Sequence, residues 1–194
     1  NFTSNLIIFL TSHLYIIYMN YKNLVLIFLS SFIFCGLNEP EDGSVIKYTH
    51  VLFDWDQVPD AVSYNLQVST NLFSFQNGII LDISNERTLY IDTENFNWSS
   101  VYYWRVRPIY IDGNLGEWSN TSTFSIAQTV LTDLNVNIYN DDLVQDGLII
   151  YSQFSPDFAT GVIDKYGNEI WNSQSHYMNY VNDYGKLYGM SGGG

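Results

Sequence analysis

The chain is poor in cysteine, in positive charge and in histidine, and each shortage narrows what it does. A single cysteine, Cys35, excludes an intrachain disulfide and a cysteine-rich metal site. Seven lysines and arginines face 20 aspartates and glutamates, giving a formal net charge of -13 and a pI near 4.2. Such a surface repels phosphate backbones and anionic lipid headgroups, which argues against nucleic acid as a partner. Three histidines, His13, His50 and His176, leave few groups for general acid–base work or zinc binding. No Arg-Gly-Asp tripeptide occurs. A length of 194 residues suits one or two domains. The chain starts at Asn1 and stops at Ser191-Gly192-Gly193-Gly194, so both ends read as cuts in a longer reading frame.

What is present begins with an apolar leader, 1–36. Residues 6–35 are strongly apolar and broken only by MNYKN (19–23). Read from Met19 as the true start, Lys22 supplies a basic n-region and LVLIFLSSFIF (24–34) an apolar h-region, the pattern of a signal peptide. The rival is a retained membrane anchor. LIIFLTSHLYIIY (6–18) is short for a span of about 20 residues, and one long span would carry Lys22 near its middle. The export reading places the mature protein outside the cytoplasm: secreted, periplasmic or on the cell surface. FIFCG (32–36) raises a lipid anchor on Cys35, but a lipobox wants a small residue where Phe34 stands. The alternative is a cysteine cut away with the leader. LNEPEDGS (37–44) is polar and turn-rich, so 37–45 reads as a linker.

From 46 to 127 short runs alternate with period two. VLFDWDQV (51–58) sets Phe53 and Trp55 on one face and Asp54 and Asp56 on the other. SYNLQVS (63–69) sets Tyr64, Leu66 and Val68 opposite Asn65 and Gln67. GIILDIS (78–84), RTLYID (87–92), VYYWRVRPIYI (101–111) and TSTFSI (121–126) read as further strands, with turn-forming stretches between them. Several short strands at this spacing predict an antiparallel β-sandwich. On the longest strand Tyr102, Trp104 and Val106 share the core face, while Tyr103, Arg105 and Arg107 face solvent. A buried Tyr102 needs a partner for its hydroxyl, and the tyrosine corner of sandwich folds supplies one in the backbone a few residues upstream. Phe96 is expected beneath that corner, and Trp55 and Trp104 are expected to meet between the sheets. The Arg105 and Arg107 heads are expected to stay solvated, their stems along the sheet. An arginine is also expected to stack on Trp118 in GEWS (116–119).

FDWDQVPDAVSYNLQVS (53–69), VYYWRVRPIYIDGNLGEWS (101–119) and TFSI (123–126) together resemble a fibronectin type III domain of the bacterial secreted kind. Trp55, the pair Ala61 and Tyr64, the Y-x-W-R-V-R run and Gly116 to Ser119 carry the resemblance, which covers about 46–127. It implies an immunoglobulin-like sandwich. It says little about a ligand, because such domains serve as spacers, adhesion modules and enzyme appendages alike.

After a second linker, 128–145, the pattern changes. DGLIIYS (146–152) reads as a strand, and ATGVIDKYGNEIWNS (159–173) as a hairpin whose turn is built by Asp164 and Gly167. This tail, 146–194, resembles the opening blade of a β-propeller of the arylsulfotransferase or quinoprotein-like type. The phrase V-I-D-x-x-G-N-E-I-W (162–171) and the DGL at 146–148 carry the resemblance. It implies an enzyme that moves sulfate between phenols, with catalytic residues beyond this stretch. None has a matching position here, so no catalytic, cofactor or metal residue is assigned.

The remaining clusters are read against bland alternatives. Asp54, Asp56 and Asp60 suggest calcium, but a solvated acidic face explains them better, because calcium wants about six to eight oxygens from a tight loop. Asp141 and Asp142 read as loop acids. His176 lacks a paired acid or nucleophile at a recognisable spacing and reads as a turn or surface histidine, and His50, just before a strand, reads as structural. Tyr103 and Tyr110 suggest a platform for sugars, though strands carry tyrosine for packing alone. NWS (97–99) and NTS (120–122) match the glycosylation pattern, to which a bacterial-looking leader gives little weight. The expected whole is an all-β chain: a fibronectin type III sandwich between an apolar leader and hairpins of an incomplete propeller. The expected function is an exported, non-catalytic binding or spacer module. Its partners are neighbouring domains and a protein or carbohydrate ligand, with membrane contact only through the leader or Cys35. The alternative is the front of an arylsulfotransferase-like enzyme.

Overall fold

The computed structural model describes residues 7–10, 13–20, 23–28, 35–130, 140, 143, 147–155 and 157–192. It divides into two compact units, Asn1–Phe34 and Cys35–Gly194. In the first, β1 (Ile7–Leu10), β2 (His13–Asn20) and β3 (Asn23–Phe28) form an antiparallel sheet in that order. Lys22, Phe34, Asp141 and Asp142, named above, lie outside the described residues. Among the described residues no helix is long and apolar enough to cross a membrane, which says nothing of strands.

The second unit opens with a sandwich. Its strands are β4 (Leu37–Glu39), β5 (Ser44–Ile46), β6 (Val51–Trp55), β7 (Ala61–Ser69), β8 (Ile79–Asn85), β9 (Leu89–Asp92), β10 (Val101–Tyr110) and β11 (Ser122–Ile126). One sheet has the order β4-β6-β9, the other β5-β11-β10-β7-β8. Every pairing is antiparallel except β5 on β11. Two facing sheets with this strand exchange make an immunoglobulin-like, fibronectin type III-like sandwich.

The stretch 37–45, expected as a linker, supplies the first strand of each sheet. Strands of three residues are too short to carry a period, so composition alone reads them as loop. Cys35 and Gly36, expected with the leader, also belong to the sandwich. Cys35 is buried in its core and its thiol donates to Asp56 O at 3.3 Å, while Asp56 N donates to Gly36 O at 2.8 Å.

Alternation fills the core as expected. Val51, Phe53 and Trp55 on β6 meet Leu66 and Val68 on β7 and Tyr102, Trp104 and Val106 on β10. The Tyr102 hydroxyl accepts from Asn97 N at 2.8 Å and points back to Asn97 O at 3.4 Å, the anticipated corner. Phe96 lies edge-on against the Tyr102 ring, with centroids 4.9 Å apart. The tryptophans do not form the expected pair. Trp104 packs on Phe53 at 5.2 Å, and Trp55 packs on Tyr64 at 5.7 Å. Phe53 and Trp55 both point inward from one strand, so each takes a different ring across the gap.

The tail holds five strands: β12 (Ile149–Gln153), β13 (Ala159–Ile163), β14 (Glu169–Gln174), β15 (His176–Val181) and β16 (Leu187–Ser191). β12-β13-β14 form one antiparallel sheet and β15-β16 another. A propeller blade is a single sheet of about four strands. Here the chain swings out of the first sheet at Ser175, whose φ is 63°, and the hairpin it forms lies against that sheet instead. Thr160 Oγ1 accepts from Met178 N at 3.0 Å and donates to His176 O at 2.9 Å. Ser152 Oγ donates to Met178 O at 2.5 Å. Two hydroxyls thus replace a strand ladder on one side of β15. The hairpin turn anticipated at 164–168 is present: Asp164 Oδ1 accepts from Tyr166 N and Asn168 N, each at 2.9 Å, and Gly167 takes φ 90°. The same device recurs at 182–186, headed by Asn182.

Candidate functional site

Two places gather side chains beyond what folding a sandwich requires. One is the outer face of the five-stranded sheet; the other is the joint between sandwich and tail.

On the outer face, strand register sets Arg105 opposite Gln67, and Gln67 opposite Asp82. Gln67 is buried, accepts from Arg105 Nε at 3.2 Å and from Nη2 at 2.8 Å, and donates to Asp82 Oδ2 at 3.0 Å. One step along, Arg107 Nε donates to Asn65 Oδ1 at 3.1 Å. Both guanidinium groups then share the indole of Trp118, at 4.2 Å for Arg105 and 4.4 Å for Arg107. Arg105 also lies 4.1 Å over the Phe75 ring, on the 3-10 turn Phe75–Gly78.

The chain carries Trp118 to this place by clamping 116–119 along β10. Gly116 N donates to Pro108 O at 2.9 Å and Ser119 N to Val106 O at 2.7 Å, and Ser119 Oγ accepts from Val106 N at 3.0 Å. A Cβ on Gly116 would come within 2.6 Å of Pro108 Cγ, so only glycine permits the approach. Burial, and next the neighbouring Arg107 charge, hold the Arg105 guanidinium below its ordinary range, while Asp82 pulls it back up. The anticipated stack on Trp118 is therefore present, and both arginines are half-buried as residues. Alternation puts Asn65 and Gln67 on this face but gives no role to them or to Phe75. Their roles come from register and from a turn, neither of which alternation reports.

At the joint, segment 47–49 pairs with β14. Thr49 N donates to Ile170 O and Asn172 N to Lys47 O, each at 2.9 Å, and Tyr48 bridges Trp171. Trp98 Nε1 crosses from the sandwich to donate to Glu169 O at 2.7 Å. The Glu169 carboxylate accepts from Val130 N at 3.1 and 3.2 Å and from Asn172 Nδ2 at 2.6 Å.

The other expected candidates are scattered. Asp54 and Asp56 sit on the solvent side of β6, Asp56 accepting from Asn38 Nδ2 at 3.1 Å, and Asp60 is exposed in a turn with φ 63°. Among the described residues no group of three or more His, Cys, Asp or Glu is placed to hold a metal ion. His50 is half-buried just before β6. His176 Nδ1 lies 2.8 Å from both Ser173 Oγ and Gln174 O. With Nδ1 protonated toward the carbonyl, the ring nitrogen takes no proton from Ser173. Tyr103 and Tyr110 are half-buried rather than exposed, and Tyr110 packs against the core. Asn97 and Asn120 are exposed. Burial, and next the Asp56 charge, push the Cys35 thiol up to about 11, far from a reactive thiolate. An open groove of about 270 Å³ beside β15 is lined by Ile150, Tyr177, Met178, Tyr180 and Leu187.

No protein-family model matches the chain, and no curated protein matches it. Two solved structures share part of its shape. A Fn3-like protein from Clostridium thermocellum is 24% identical, with a TM-score of 0.37 over 50% of this chain and 94% of that one. A Streptomyces avermitilis alpha-L-rhamnosidase, solved with L-rhamnose, is 16% identical, with a TM-score of 0.39 over 48% of this chain and 10% of that one. The chain thus spans about a tenth of the rhamnosidase. The fold assignment rests on the strand order and register described above: the chain contains an all-β sandwich module of fibronectin type III-like fold.

Proposed function

We propose that the chain is an exported, non-catalytic sandwich module that positions a neighbouring β-element and presents a binding face, within a larger extracytoplasmic protein. The carrying observation is the joint. A spacer must hold its neighbour in a fixed attitude, and the sandwich does so with a strand pairing at 47–49 reinforced by the Trp98 indole and the Glu169 carboxylate. The groups with chemical reactivity are bound up in structure: the Cys35 thiol in the core, the His176 ring in its own turn, Tyr64 and Tyr102 on backbone amides. The apolar run in 1–34 supports export.

Two experiments test this reading. In a 35–194 protein, Trp98→Phe combined with Glu169→Gln is expected to strip hydrogen-exchange protection from 159–192 and to leave the sandwich protected. Unchanged protection in the tail would mean that the sandwich is not its support. Residues 1–34 fused to a leaderless reporter are expected to carry it out of the cytoplasm, and retention inside overturns the export part.

A further inference from the structure

With 20 carboxylates for seven cations, a surface arginine of this protein has partners to spare. Arg105 and Arg107 nevertheless stand next to each other with no ion-pair partner among the described residues. Arg105 is spent on structure: Gln67 takes two of its nitrogens, and Phe75 and Trp118 cover its plane. Arg107 is not. Its Nε is held by Asn65 Oδ1 and its plane lies on Trp118, but its two terminal amino groups bond nothing among the described residues. The same bond fixes the Asn65 amide. With Oδ1 turned to Arg107, Nδ2 points away and has no partner there either. Exposed Ser84 sits beside Asn65 on the next strand. The row Arg107, Asn65, Ser84 crosses three strands, about 10 Å at the usual strand spacing. It offers a charged fork, then an amide, then a hydroxyl, and its free groups are mostly donors.

We propose that this row is a binding site for an acidic sugar of the uronic acid class, with the carboxylate on the Arg107 fork and ring hydroxyls on Asn65 and Ser84. A planar carboxylate matches a guanidinium fork, and its charge strengthens both bonds. β7 and β10, which carry Asn65 and Arg107, are interior strands whose backbone groups are engaged in ladders, so only β8, at the Ser84 end of the row, offers an edge, and the triglutamate probe tests a peptide there. Side-chain polar groups in a flat row suit hydroxyls instead. The indole contact and the bond to Asn65 restrain the fork, so little side-chain freedom is lost on binding. The net charge of -13 does not forbid the site, because at physiological salt distant carboxylates are screened beyond about 8 Å. The proposal rests on the binding-module part of the function above.

Its test is a calorimetric titration of the whole chain with three probes: trigalacturonate, a neutral galactose trisaccharide and a triglutamate peptide. Saturable binding of trigalacturonate alone is expected. Arg107→Gln is expected to weaken it by about tenfold or more, the loss of one charge-assisted contact. Asn65→Asp places a carboxylate under the fork and is expected to abolish binding while leaving the melting temperature unchanged or raised. That second variant covers the case in which Arg107→Gln disturbs the stack. No binding, equal binding of the neutral sugar, stronger binding of the peptide, or full binding by Asn65→Asp overturns the proposal. Any of these leaves the joint intact as a spacer, since that reading is judged by tail protection and not by a ligand.

Discussion

The sandwich and the tail are built from the same short antiparallel strands, yet they are held together in different ways. The sandwich has a contiguous core of rings and branched chains, with Val51, Phe53, Leu66, Val68, Trp104, Val106 and Phe124 all at 0% exposure. The tail buries only Ala159, Val162, Ile163 and Ile170 among its described apolar residues, and leaves Leu148 at 60%, Tyr151 at 47% and Tyr184 at 91%. A two-stranded sheet such as β15-β16 is marginal alone in water. The tail is ordered by what it borrows: a strand partner at 47–49, an indole from Trp98, and hydroxyls between its own layers. Burial sustains one region and directed hydrogen bonds sustain the other.

That contrast makes the two regions respond differently to damage. Phe53→Ala removes the ring that touches Trp104, Phe96 and Phe124, and should cost about 3–5 kcal/mol. Urea denaturation should show the tail melting with the sandwich, and a tail that keeps its exchange protection would break the comparison. Trp98→Phe, whose ring also packs against the sandwich core, should act chiefly on the tail, lowering its opening free energy by about 1–2 kcal/mol through loss of the bond to Glu169 O. Exchange rates at 159–192 measure it. Tyr102→Phe is the mirror case, costing about 1 kcal/mol in the sandwich and nothing in the tail, because it removes the acceptor of Asn97 N.

The remaining effect concerns pH. Cys35 is raised from 9.0 to about 11 in the folded chain, so it binds its proton more tightly folded than unfolded. Its contribution is complete below pH 9 and declines as pH rises toward 11. Tyr48, Tyr64 and Tyr90 are raised by burial and act in the same direction, so the informative quantity is a difference. Wild type should lose more stability than Cys35→Ser between pH 9 and 11. Parallel melting curves for the two proteins would mean that the thiol is not seated in the core.

Legibility falls along the same divide. Alternation on β6, β7 and β10 named Phe53, Trp55, Tyr64, Tyr102 and Trp104 as core, because a period of two reports directly which face is inside. The Tyr102 corner was legible because its partner lies five residues away. The Trp118 stack was legible from the arginines on one face. Gln67 was not, since its task appears only when β7 is set beside β10, 38 residues away. β4 and β5 were lost for lack of length. The joint was out of reach, because Trp98 and Glu169 are 71 residues apart and nothing local links an indole to a distant carbonyl. The single-blade expectation failed at Ser175, where a left-handed residue redirects the chain. Serine carries no strong signal for that conformation.

The pairing of β14 with 47–49 has one more effect. That segment continues from β5, the outermost strand of its sheet, and its backbone groups on that side are occupied by the tail. Trimming the tail away would lay bare a strip of unsatisfied donors and acceptors, the kind of border along which sheets recruit copies of themselves. The tail strands thus cover that border.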